Sequence, residues 1–190
     1  MYELKPILCA PPSQANIREQ ALQIEANWPL IIPPLLALID DVSTTCKIRG
    51  CELLVTFLKA APSQILERTG LGEVFQNTLM PCLLYLPTLT PEDESLRLLD
   101  TVYPTLTALV NARFTGDKDR ASRMKAFDQI LRYGVFKGYA HAGENVTIAK
   151  LLVKSITDLV NEMGIASVKH LKVRATNISQ ALEKVADINA

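Results

Sequence analysis

Apolar residues recur along this chain at intervals of three and four. From Cys46 through Gly50, Leu53, Leu54, Phe57 and Leu58 to Ala61 they trace one face of a helix, with Lys47, Arg49, Glu52, Thr56 and Lys59 falling mostly outside it. Asp41 or Ser43 stands ahead of this stripe to accept hydrogen bonds from the first free amides, and Pro62 stops the run. A second stripe, Leu96, Leu99, Val102, Tyr103, Leu106, Leu109 and Val110, follows "TPEDES", where Thr90 is the expected N-cap and three acids suit the positive end of a helix dipole. Ala149, Leu152, Val153, Ile156, Leu159, Val160 and Met163 form a third, and Leu171, Ala175, Ile178, Leu182 and Val185 a fourth.

Two further apolar runs carry prolines inside them, "LIIPPLLALI" at 30–39 and "TLMPCLLYL" at 78–86. Pro34 and Pro81 lie 47 residues apart, a separation at the long end of the period of HEAT and armadillo arrays. No segment alternates with a period of two, so no sheet is expected. The pattern predicts about eight helices, at 14–27, 29–40, 44–60, 71–86, 91–112, 118–138, 145–163 and 165–187. Residues 1–13 are expected to be irregular and 1–190 to form a single helical-repeat domain. The predicted class is all-α: a HEAT/armadillo-like α-solenoid of antiparallel helix pairs.

Composition agrees with helices, since 48% of residues are hydrophobic and only 8 are glycine. Net charge is zero, yet residues 1–112 hold 7 basic and 12 acidic side chains while residues 113–190 hold 13 and 8. This uneven placement permits separate charged partner surfaces. The four cysteines form no CxxC pair and follow no secretory signal, which fits a reduced intracellular compartment, cytoplasmic or nuclear. The uncharged stretch from Val74 to Pro91 is broken by three prolines, Gln76 and Asn77, and is not expected to span a membrane.

"IDDVSTTCKIRGCELL" at 39–54 gathers acids, bases and thiols. As chemistry, Asp40 or Asp41 would serve as the base of an all-α enzyme. Such a base needs an activating partner and a substrate pocket, and the sequence supplies neither. As structure, Asp41, Cys46, Lys47, Gly50 and Leu54 follow a HEAT pattern: an acid in the turn, then a small apolar and a basic residue, a small residue and a leucine. In that reading the acid caps or holds the turn, Lys47 lies near the surface and bonds to turns, and Gly50 lets two helices pack closely. The structural reading is preferred, with no catalytic residue, metal or cofactor expected.

The same stretch carries a family resemblance. Trp28, Pro33-Pro34-Leu35-Leu36, Asp40-Asp41, Lys47 with Arg49-Gly50, Thr69-Gly70-Leu71, Pro81, Leu86-Pro87 and Pro91 with Glu94-Ser95 together resemble the smallest-subunit family of the TTT complex, the Tel-two-interacting proteins. The match is best over 28–112 and looser through about 172. The resemblance implies a HEAT-like co-chaperone subunit without catalytic activity, joined to two larger helical subunits. It also implies indirect service to the ninety-kilodalton heat-shock chaperone in maturing phosphatidylinositol-3-kinase-related kinases. A generic helical-repeat adaptor, for transport or nucleic acid, would share the architecture without that role.

Other constellations carry less. His141 and His170 stand 29 positions apart with no spaced ligand set around them. Cys46 and Cys51 point about 140° from one another on one helix and read as small hydrophobes. Gly70 and Gly72 lack the third glycine and the strand of a phosphate loop, and are read as separating two helices. Lys137-Gly138-Tyr139-Ala140 matches the start of an RNA-binding motif that belongs on a sheet, whereas its flanks here are helical. Apolar residues cover much of the helix leading into this segment, which suits burial between layers. The alternative is a partner anchor made of Ile130, Arg132, Tyr133, Phe136 and Tyr139, since aromatics and arginine dominate interface energetics.

Overall fold

The computed structural model describes residues 14–61 and 63–170, giving only the backbone for 14–26, 63, 64, 169 and 170. All regular elements among these residues are helical, and none is a strand. The α-helices are α1 (Gln14–Asp40), α2 (Thr44–Ala60), α3 (Ser63–Thr69), α4 (Leu71–Leu79), α5 (Glu92–Arg113), α6 (Arg120–Ile130), α7 (Lys137–Ala142) and α8 (Val146–Met163). A 3₁₀ turn, Met80–Leu84, follows α4; a π-helical turn, Leu131–Phe136, joins α6 to α7; and a 3₁₀ segment, Gly164–His170, follows α8.

Helices α2, α5 and α8 lie side by side and run parallel. Thr44 at the start of α2 donates to Glu94 at the start of α5, at 2.6 Å. Lys154 of α8 reaches Asp100 of α5 at 2.9 Å, and toward the helix ends Arg123 ties Asn111 to Glu162. A second layer holds α1, α4 with its 3₁₀ turn, and the run from α6 to α7. Gln76 of α4 bonds Gln129 of α6, and Leu83 packs at Gly134. The core between the layers contains the fully buried Ile39, Leu54, Phe75, Leu79, Leu83, Leu98, Leu99, Leu106, Phe127 and Ile130. Burying each such side chain contributes about 1.5–3 kcal/mol before conformational entropy is subtracted.

The helical stripes of α2, α5 and α8 supply most of this core, but Leu53 remains 39% exposed at the edge of its stripe. Several boundaries differ from those the sequence suggests. The expected break between 27 and 29 is absent, and α1 runs through Pro29, Pro33 and Pro34. These prolines are exposed, while Ile32, Leu35 and Ile39 keep the other face buried and hold the helix together across the missing amide bonds. The helix expected at 71–86 stops at Leu79 and tightens to 3₁₀ where Pro81 cannot donate. A short helix, α3, occupies a stretch left outside the expected helices, with Ile65 and Leu66 buried. Pro91, not Thr90, takes the N-cap position of α5; the Thr90 carbonyl instead accepts from Ser95 Oγ at 3.4 Å.

Residues 164–170 are 3₁₀ rather than α-helical, and Gly164 ends α8 with φ of 55°, a conformation open to glycine. The rest of the helix expected at 165–187, with its stripe from Leu171 to Val185, lies outside the described residues, as do the expected irregular segment 1–13 and Cys9. No helix among the described residues is long and apolar enough to cross a membrane.

Candidate functional site

The turn between α1 and α2 collects most of the residues singled out by sequence. Asp40 closes α1 and is exposed, while Asp41 Oδ1 accepts from the Ser43 amide at 2.7 Å, an Asx-type turn that lets α2 begin at Thr44. Ser43 occupies the N-cap without a side-chain capping bond.

Lys47 is buried, at 4% exposure, and not near the surface as its charge suggested. Its Nζ donates to the Ile39 carbonyl at 2.9 Å and sits 5.1 Å from the centre of the Tyr85 ring, so a carbonyl and an aromatic face replace water around the ammonium. The lysine joins the end of α1 to α2 and to the end of the 3₁₀ turn. Arg49 stays exposed and pairs with Glu52 one turn on, at 2.9 Å.

At Gly50 the helices touch: a Cβ there would lie 2.8 Å from Ile39 Cγ1 and 2.9 Å from the Ile39 amide nitrogen. Cys51 and Cys82 are buried beside this turn, and Cys46 is partly buried. Burial pushes the Cys51 thiol from its ordinary 9.0 up to about 12, and raises Cys82 as well, with the Lys47 ammonium pulling both the other way. Thiols held protonated are poor nucleophiles. The group therefore fastens three elements together, and Asp41's carboxylate is engaged by the turn itself. Among the described residues no cluster of three His, Cys, Asp or Glu side chains is arranged to hold a metal.

The aromatic patch does not form one surface. Ile130 is fully buried and Tyr139 is 8% exposed, so both belong to the core, and Phe136 is partly buried against it. Tyr133 is 60% exposed, and Arg132 beside it pairs with Asp128 at 3.0 Å. Burial follows one stripe through the π-helical turn, with Phe127, Ile130, Leu131, Gly134, Val135, Gly138, Tyr139 and Ala142 inward at three-and-four spacing and Tyr133 off that face. Gly134 permits the crossing, because a Cβ there would lie 2.7 Å from Leu83 Cδ1.

A second feature was not visible in the sequence. Between α5 and α8 runs a groove of about 470 Å³, floored by Tyr103, Pro104, Ala108 and Leu159 and edged by Asp100, Asp158 and Glu162. At one end the lining residues Asn111 and Glu162 both hold the guanidinium of Arg123, through Asn111 Oδ1 at 2.8 Å and Glu162 Oε2 at 2.7 Å. Lys154 lies across the other, 2.9 Å from Asp100, whose carboxylate holds the ammonium pKa above its usual value. These pairs join residues 54 and 39 positions apart, and no local spacing announces them.

Against known proteins, a family model described as the Tti2 family matches residues 13–186. A protein named TEL2-interacting protein 2, from Saccharomyces cerevisiae, is 28% identical over 148 residues, covering 72% of this chain and 35% of that protein. The chain thus spans about a third of the length of that curated relative. No solved structure matches.

Proposed function

The chain belongs to the Tti2 family, and from that premise we propose that it is a non-enzymatic scaffold subunit of the TTT complex. In this reading its helix pairs stack as a HEAT-like solenoid, a single domain that binds the two larger helical subunits. One of those partners is a TEL2-type protein, in keeping with the name of the yeast relative. Through the assembly it supports the ninety-kilodalton heat-shock chaperone in maturing phosphatidylinositol-3-kinase-related kinases, in the cytoplasm, the nucleus or both.

The observation that carries this reading is the family match across residues 13–186. The mechanism is display: a rigid array offers a long surface, apolar anchors supply affinity, and charged rims supply specificity. The acids that sequence offered as a base fit the role of turn-builders, with Asp41 engaged by Ser43. Exposed Tyr133 with Arg132 remains a partner contact in this proposal, without Ile130 and Tyr139. Affinity purification of the tagged chain from cells, with identification of what is retained, tests it. Recovery of both larger TTT subunits is expected; their absence, with other partners in their place, would overturn it.

A further inference from the structure

We propose that the groove between α5 and α8 is a docking channel for an arginine-bearing segment of a partner protein. The proposal stands on the groove's own chemistry, whichever assembly the chain joins. Its floor is apolar, from Tyr103, Pro104, Ala108 and Leu159, and so can take the methylene stem of a long cationic side chain. Its edge is acidic, from Asp100, Asp158 and Glu162, and matches the charged end of that side chain.

Two of the lining residues already hold a guanidinium: Asn111 Oδ1 accepts two N–H groups of Arg123 from α6, at 3.1 and 2.8 Å, and Glu162 accepts a third contact at 2.7 Å. Toward the other end, Asp100 and Asp158 offer carboxylates that a cation of the chain itself now meets. Lys154 bonds Asp100 at 2.9 Å and is also attracted by Asp158, but both members of the Lys154–Asp100 pair are exposed, at 65% and 60%. An exposed lysine pair is weakly held and has no fixed fork geometry, so an incoming arginine can displace it.

Pro104 adds a further acceptor. It lacks the amide that would bond the Asp100 carbonyl one turn back, and both residues line the groove. From Asp100 to Asn111 the channel runs about 16 Å along α5, room for about five residues of extended chain. Lys154 thus acts as an internal competitor for the site it occupies, a role with a consequence opposite to that of an ordinary structural ion pair.

The test uses a fluorescein-labelled peptide of alternating arginine and serine, with its glutamate–serine counterpart as control, and anisotropy read at about 0.15 M salt. The arginine peptide is expected to bind and the glutamate peptide not to. Asp100→Asn with Asp158→Asn should weaken binding about tenfold or more, while Lys154→Ala should tighten it about threefold or more. Lys137→Ala removes the same charge from α7, away from the groove, and should leave affinity within about twofold if the effect is local rather than general attraction. All the altered residues are exposed, and circular dichroism melts of the variants are expected to overlay the parent. Absence of binding, indifference to the paired Asp replacements, or equal tightening by Lys137→Ala and Lys154→Ala would overturn the proposal.

Discussion

At Lys47 a single side chain replaces water for one carbonyl and leans on one ring, and its removal exposes how much the turn depends on it. Lys47→Met keeps most of the volume but leaves the Ile39 carbonyl without its donor, an unsatisfied buried acceptor that costs about 1–3 kcal/mol. Urea unfolding should show that loss, and an unchanged midpoint would mean the bond contributes nothing net. At Gly50, alanine would gain about 1 kcal/mol of helix propensity but must push Ile39 aside, backbone included. The steric cost is the larger effect, and Gly50→Ala should lose about 1–3 kcal/mol net by the same measurement. A neutral or stabilising result would remove close packing as the reason for glycine there. The buried thiols add a pH dependence. In the folded chain Cys51 keeps its proton from its ordinary 9.0 up to about 12, whereas the unfolded chain releases it near 9. The folded state therefore binds more protons across that window, and stability should fall as pH rises above 9, being fully present below it. Cys51→Ala should flatten that part of the stability profile. Sequence placed Asp41, Lys47 and Gly50 in one turn because they are neighbours in the chain, but burial of Lys47 was hidden, since its partner Tyr85 arrives from 38 positions away.

Among the elements, those with strict three-and-four periodicity were the most legible. The stripes of α2, α5 and α8 could be read because each buries a single face against one opposite layer, the condition under which period reports fold. Proline punctuation was less faithful. It ended α4 at the 3₁₀ turn, yet Pro29, Pro33 and Pro34 passed inside α1 because their exposed side leaves the apolar seam intact. The π-turn before α7 was illegible, since nothing in "LRYGVF" distinguishes an extra residue per turn from an ordinary one, and Ile130 and Tyr139 lie in the core because they share the buried stripe of Phe127, Leu131 and Val135. Within α5, Pro104 is tolerated at the cost of a backbone bond on the groove side. Pro104→Ala restores that bond and should stabilise the chain by about 1–3 kcal/mol, a higher melting temperature being the readout. A fall would show that the ring's packing on the groove floor outweighs the missing amide.

For the molecule as a whole, the family was legible before the fold was, because its markers, from Trp28 to Ser95, are short combinations of neighbouring residues, several of them at turns and helix ends such as Asp40-Asp41, Thr69-Gly70-Leu71 and Leu86-Pro87. The groove was not legible, for the opposite reason. Its walls are two parallel helices brought together only by the layer packing, and its ion pairs span 39 and 54 positions. In the proposed scaffold role the function lies in what the chain holds, so the decisive quantity is the mass of what it forms. The most direct measurement mixes the purified 21.0 kDa chain with the two larger TTT subunits and reads the product by size-exclusion chromatography with light scattering. The account predicts a single peak whose mass equals one copy of each, depleted when the turn is broken by Gly50→Ala at a temperature where that variant unfolds. Elution of the chain at its own mass, with the two larger subunits running separately, would contradict it.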